Sequence, residues 1–245
     1  SELGAKAAEE SRQDIENALQ GSDMIFLTAG MGGGTGTGAT PVIAEIAKRL
    51  GALVVAIVTK PFEFEGNPRM KLALEGVNKL RNEVDSMIVI PNQKILSLVS
   101  PETGKTEALE YANRVLYNAT KGISQIITRP GEVNTDFADV KTIMKDMGAA
   151  MIGMGVASGE NRAEKAVQLA VTNPVLDDIN IAGSKNILVN IISDGNIKMK
   201  EIECINKYIQ DIVGMDARFI LGWADDKSIK DEILVTVIAT GFNND

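Results

Sequence analysis

Short apolar runs alternate with amphipathic stretches through the first part of the chain. Residues 5 to 20 read as a helix, and after Ser22-Asp23 an apolar run of strand length, Met24 to Thr28, ends in a glycine cluster. The next helix is predicted to start near Pro41, a residue tolerated in a helix's first turn, with Ile43, Ile46, Ala47 and Leu50 on one face. A second strand covers Leu53 to Val58, and a loop runs from Lys60 to Asn67. Pro68 opens a third helix bearing Leu74, Val77, Leu80 and Val84, and a third strand, Ser86 to Ile90, stops at Pro91-Asn92. Apolar strands separated by amphipathic helices predict a parallel α/β sheet of Rossmann-like character.

A long helix from about Lys105 to Ile127 keeps the i, i+3, i+4, i+7 rhythm through Leu109, Ala112, Leu116, Ala119, Ile123 and Ile126. After a loop from Thr128 to Asn134 the rhythm changes. Helices are predicted at Asp136 to Met147, Arg162 to Thr172 and Met199 to Val213, with strands at Ala149 to Ala157, Asn186 to Ser193, Ala217 to Ala224 and Glu232 to Thr240. The two consecutive strands at the end predict a mixed sheet, in an α+β domain stacked against the long helix. The expected division is residues 1–104 as a partial nucleotide-binding domain, 105–139 as central helix and aspartate loop, and 140–245 as the C-terminal α+β domain. Three parallel strands make a thin, exposed sheet, and the chain begins on a helix. The first half of a larger nucleotide-binding domain is therefore expected to be absent.

A chain of 245 residues with 44% hydrophobic residues buries roughly 70 to 75% of the surface its unfolded form exposes, so no disulfide or metal staple is needed. The single cysteine, Cys204, and the lack of histidine remove the usual zinc spacings, the Ser-His-Asp triad and the Cys-His pair. Cys204, in a helical pattern, reads as packing. Catalysis must then run on carboxylates, backbone dipoles or a bound cofactor. A formal charge of −8 argues against nucleic acid as a partner. No apolar run approaches the roughly 18 to 20 residues that span a bilayer, and the N-terminus lacks signal-peptide order. A cytosolic location without membrane insertion is expected.

The segment Ala29-Gly30-Met31-Gly32-Gly33-Gly34-Thr35-Gly36-Thr37-Gly38-Ala39 lies between a predicted strand and helix. Glycines let backbone N–H groups approach phosphate oxygens, and a helix N-terminus adds about half a positive charge. A merely flexible turn is the plainer reading, but the C-terminal end of a strand is where α/β proteins bind ligands. A Walker A loop would need lysine where Ala39 stands. Gly34, Gly36 and Ala39 fit the G-x-G-x-x-A dinucleotide fingerprint, whose acidic ribose ligand is replaced here by Thr59-Lys60.

Gly32-Gly33-Gly34-Thr35-Gly36-Thr37-Gly38 matches the tubulin signature GGGTGTG, and Ala29 to Ala39 resembles its FtsZ form. Asn134-Thr135-Asp136-Phe137-Ala138-Asp139-Val140 is similar to the FtsZ family's N-x-D-F-A-D-V loop. Further matches are Thr59-Lys60-Pro61-Phe62, Phe64-Glu65-Gly66, Ile127-Thr128-Arg129-Pro130-Gly131, Gly155 to Glu160 and Val237 to Phe242, so the resemblance covers essentially the whole chain.

The resemblance implies a GTPase that polymerises head to tail with copies of itself into the filaments of the bacterial division ring, with other cell-division proteins as partners. It also implies GTP or GDP held with Mg²⁺ on Gly32, Gly33, Gly34, Thr35, Gly36 and Thr37, ribose contacts from Glu65 and Arg69, and a guanine contact from Asn113. Asn134, Asp136 and Asp139 would orient the attacking water on the neighbouring subunit's GTP, and no side chain is nominated as a metal ligand. Asp136 and Asp139 lie three apart at a helix start, where capping would account for one aspartate; two are better explained by orienting a water. Glu65 and Arg69 read equally well as a surface pair, whereas Asn113 in mid-helix wants partners. Leu109 stands where many bacterial relatives place an aromatic residue against the base, leaving an apolar contact or nearby Tyr111 in its place. The family's first phosphate loop and its C-terminal tail are expected to be missing, so contacts with membrane-tethering partners are not expected. Two alternatives belong to other classes: a non-catalytic module that caps filaments through the aspartate loop, and an NAD(P)-binding oxidoreductase resting on Gly34, Gly36 and Ala39.

Overall fold

The computed structural model describes residues 1–96, 102–128, 136–172 and 181–242. The chain divides into two compact units, Ser1–Tyr117 with Met144–Ala149, and Asn118–Ile143 with Ala150–Asp245.

In the first unit β1 (Met24–Gly30) pairs in parallel with β2 (Leu53–Lys60), and β2 with β3 (Ser86–Pro91). Gly148 and Ala149, the first residues of β4 (Gly148–Ser158), extend this parallel arrangement along Ser86 and Met87. The six residues Leu53 to Val58 are all buried, which is why β2 reads as an unbroken apolar run. Helices α3 (Thr35–Arg49) and α4 (Asn67–Arg81) follow β1 and β2. Ala44 and Ala47 from α3 meet Ala73, Val77 and Leu80 from α4 in the core over the sheet.

Five details differ from the sequence expectation. The first helical stretch is α1 (Glu2–Glu10) and α2 (Arg12–Leu19), broken at Ser11, whose φ of −96° and ψ of 14° leave helical geometry. Helix α3 starts six residues before Pro41, so the proline lies inside it. The loop after β2 contains a 3-10 turn, Glu63–Glu65, and β3 runs into a single-turn helix, α5 (Asn92–Ile95). The long helix is α6 (Lys105–Thr128), but α7 (Phe137–Met144) ends before Met147 because Asp146 and Gly148 adopt positive φ, 56° and 69°. That turn is tied down where the Met147 and Gly148 N–H groups both donate to the Asp85 carbonyl at 2.9 Å.

In the second unit β4 pairs antiparallel with β7 (Glu232–Thr240), β7 antiparallel with β5 (Asn186–Ser193), and β5 parallel with β6 (Arg218–Asp225). This is the mixed sheet expected from the two terminal strands. Helices α8 (Arg162–Val171) and α9 (Met199–Val213) bury Ala166, Val167, Ile202, Ile205 and Ile209 against Val189 and Val235. The protein is thus an α/β fold followed by an α+β unit with a mixed sheet.

Candidate functional site

The glycine loop grows directly out of β1. The Met31 N–H donates to the Thr59 carbonyl at 2.9 Å, continuing the pairing of β1 with β2. Gly32 then turns the chain with φ of 99°, a conformation that L side chains rarely adopt. A Cβ there would also lie 2.9 Å from both the Cγ and the carbonyl oxygen of Arg69. The Gly32 N–H is spent on the buried Thr37 hydroxyl, which accepts it at 2.8 Å.

Beyond Gly32 the loop opens. An added Cβ at Gly33 or Gly34 would meet nothing within 4 Å, and neither residue has positive φ. Protein packing therefore does not require glycine at either position. Helix α3 begins at Thr35, so the amides of Thr35, Gly36 and Thr37 have no acceptor inside the helix; the ladder starts where the Gly38 N–H donates to the Gly34 carbonyl at 3.1 Å. Exposed Thr35 adds a hydroxyl at the helix start. Amide donors and the positive end of a 15-residue helix meet on an open face of small residues, which suits a phosphate chain.

Glu65 and Arg69 stand beside this loop. One Glu65 oxygen accepts the Phe62 N–H at 2.9 Å, and the other lies 2.9 Å from the Arg69 guanidinium. Since Arg69 also abuts Gly32, the structure brings Gly32, Glu65 and Arg69 together.

Asn92 is a polar residue here that the sequence reading passed over. It follows β3 at the C-terminal edge of the parallel strands, only 8% exposed, and its Oδ1 is buried without a hydrogen-bond partner. Its neighbour Gln93 accepts the Glu63 N–H at 3.1 Å, which ties this strand end to the segment carrying Glu65. A buried amide oxygen left unpaired costs free energy unless a water or ligand donor satisfies it. The sequence signal was a single Pro-Asn, which reads as a strand stop.

Asn113 is exposed on α6, one helical turn after Leu109, which is 40% exposed. The Tyr111 ring is occupied by Arg114, whose guanidinium carbon lies 4.9 Å from the ring centroid. In the second unit, Asp136 and Asp139 sit at the start of α7, both exposed. The Asp136 carbonyl, not its carboxylate, accepts the Asp139 and Val140 N–H groups, at 3.0 and 3.2 Å. Side-chain capping is thus not what occupies the Asp136 carboxylate. Asn134 lies outside the described residues. Among the described residues no three carboxylate or thiol groups gather into a cluster able to hold a metal ion.

Fold and loop together define a tubulin-type α/β protein with a glycine-rich loop between strand and helix, and comparison with known proteins agrees on the class. Residues 1–100 match the Tubulin/FtsZ family, GTPase domain, and residues 148–243 match the FtsZ family, C-terminal domain. The cell division protein FtsZ of Buchnera aphidicola subsp. Schizaphis graminum is 49% identical over 241 residues, which are 98% of this chain and 63% of the relative. FtsZ of Pseudomonas aeruginosa is 48% identical, over 98% of this chain and 61% of its own length. An empty FtsZ dimer from M. jannaschii superposes with a TM-score of 0.92 at 41% identity, covering 98% of this chain and 69% of that one. CetZ1 from Haloferax volcanii shares the fold, with a TM-score of 0.82 at 21% identity over 99% of this chain and 73% of its own. The chain belongs to the FtsZ family. It spans 63% of the length of the Buchnera relative.

Proposed function

We propose that the chain forms part of a GTPase that assembles head to tail into cell-division filaments, hydrolysing GTP to GDP and phosphate between successive subunits. The observation that carries this reading is the loop from Gly32 to Thr37, where the amides of Thr35, Gly36 and Thr37, without acceptors inside the helix, adjoin an open face at Gly33 and Gly34. Gly33, Gly34, Thr35 and Gly36 cradle the phosphates, and Glu65 and Arg69 flank the ribose. Asn113 and Asn92 address the base, Asn92 through its unsatisfied oxygen. Mg²⁺ would neutralise phosphate charge there, and the Thr35 hydroxyl is the protein group that would help hold it, since the described residues offer no acidic cluster of their own.

Asn134, Asp136 and Asp139 act on the GTP of the next subunit, so turnover depends on assembly. Exposed carboxylates without side-chain partners suit that task, because they stay free to orient a water on a docking surface. Residues 1–104 serve as the nucleotide-binding part, 105–139 as helix and aspartate loop, and 140–245 as the C-terminal domain. The partners are further copies of the protein and other division proteins, at the division site in the cytoplasm; among the described residues no helix is long and apolar enough to cross a membrane. Equilibrium binding of GTP, with ATP and NAD as competitors, tests the reading. Selective GTP binding is expected, and a preference for NAD or no nucleotide binding overturns it for this chain.

A further inference from the structure

Thr37 and Gly76 fit together as a seat beneath the glycine loop. Gly76 is buried in the interior of α4, with no positive φ to explain it, and glycine weakens a helix interior relative to alanine. The reason for glycine is space. A Cβ at Gly76 would overlap the Thr37 Cγ2 and lie 3.4 Å from the Thr37 Cβ. The threonine methyl thus fills the place a side chain on α4 would take.

The other branch of Thr37 is its hydroxyl, which accepts the Gly32 N–H at 2.8 Å in a buried position. A β-branched side chain is stiff at χ1, so fixing the methyl also fixes where the hydroxyl points. Two turns earlier on α4, Arg69 lies against Gly32 itself. One helix therefore supports the loop at both its turn and its hydrogen-bonded pin.

We propose that Thr37 is a positioning residue, not a side-chain ligand of phosphate, and that Gly76 is the seat that sets it. Contact with α4 locks the Thr37 rotamer, the hydroxyl holds the Gly32 amide, and the amides from Gly33 onward face the anion as a consequence. The inference rests on reading the loop as the phosphate site, but the pin itself can be tested without nucleotide.

Three variants of the full chain decide it, with amide hydrogen exchange at Gly32 and GTP affinity as readouts. Gly76→Ala forces the methyl out of its seat, while Thr37→Val keeps the methyl but removes the acceptor. Gly32 exchange is expected to rise, and GTP affinity to fall, by about tenfold in each. Combining Gly76→Ala with Thr37→Ser restores the space and keeps the hydroxyl, so both readouts should return most of the way. Parent-level Gly32 protection in Gly76→Ala and Thr37→Val, or a double variant no better than Gly76→Ala, overturns the proposal. Should the parent chain bind no GTP, the exchange measurement still judges the pin, and only the phosphate-site reading falls.

Discussion

The Arg69 guanidinium lies 2.9 Å from Glu65, four residues earlier on the chain, and the second oxygen of the same carboxylate holds the Phe62 N–H at 2.9 Å. With the Arg69 side chain 53% exposed, such a pair contributes less than about 1 kcal/mol to stability. Its worth lies in fixing the Phe62 to Arg69 segment against Gly32. Glu65→Ala should therefore shift unfolding by no more than about 1 kcal/mol while weakening GTP binding by about tenfold. Chemical denaturation and a nucleotide titration measure the two effects, and unchanged affinity removes the pair from the site.

Asp139 presents an exposed carboxylate at the first turn of α7 with no side-chain partner among the described residues. Asp139→Ala should leave stability within about 0.5 kcal/mol of the parent. GTP binding should persist, because in the proposed function the residue acts on a neighbouring subunit's nucleotide. Phosphate release under assembling conditions should fall by about a hundredfold or more. Turnover at the parent rate would remove Asp139 from the catalytic role.

The strands were legible because buried parallel strands are unbroken apolar runs, as Leu53 to Val58 shows. The start of α3 was not. Thr35 to Thr40 is glycine, threonine and alanine, with no apolar rhythm, and its helical form goes with tertiary packing: Gly36 sits so close to the Gly30 carbonyl that a Cβ would fall 2.5 Å from its oxygen. Propensity sees only the poor helix formers and puts the start at Pro41. Asn92 escaped for a related reason, since one asparagine after a proline looks like a turn until its burial is known. Gly76 is a glycine inside a helical pattern, a signal of close packing that the apolar rhythm of that helix passes over. Its partner, Thr37, could only be found in three dimensions.

In the second unit the Arg162 guanidinium, only 7% exposed, forks onto Glu201 at 2.8 and 3.2 Å and reaches Asp231 at 3.1 Å. Hydrogen bonding from Arg162 holds the Glu201 carboxyl below its ordinary value, against the opposing effect of burial. A carboxyl with a depressed folded pKa stabilises the fold above its unfolded value, about 4.3, and that contribution is lost as pH falls through the folded value. Arg162→Met should cost about 3 kcal/mol at pH 7 and distinctly less near pH 3, below the ordinary carboxylate value of about 4.3, where the charge attraction is being lost. Urea unfolding at the two pH values measures this. An equal cost at both would mean that Arg162 contributes packing instead of charge.

Gly33 and Gly36 separate the two reasons a phosphate loop can need glycine. At Gly33 an added methyl meets nothing within 4 Å and the backbone φ is not positive, so the folded protein tolerates it. At Gly36 the same methyl would stand 2.5 Å from the Gly30 carbonyl oxygen and 3.3 Å from the Ala29 Cβ, so strand or helix must move. Gly36→Ala should therefore destabilise the protein by about 1 to 3 kcal/mol, as overpacking does, and lose nucleotide affinity along with its fold. Gly33→Ala should unfold like the parent, or slightly later because alanine restricts the unfolded chain. Yet it should bind GTP about tenfold or more weakly, since the methyl would occupy the face that the proposed function assigns to phosphate. Thermal unfolding with and without GTP reads both quantities in one experiment. A Gly33→Ala protein that is stable and gains the parent's full protection from GTP would place the phosphates elsewhere.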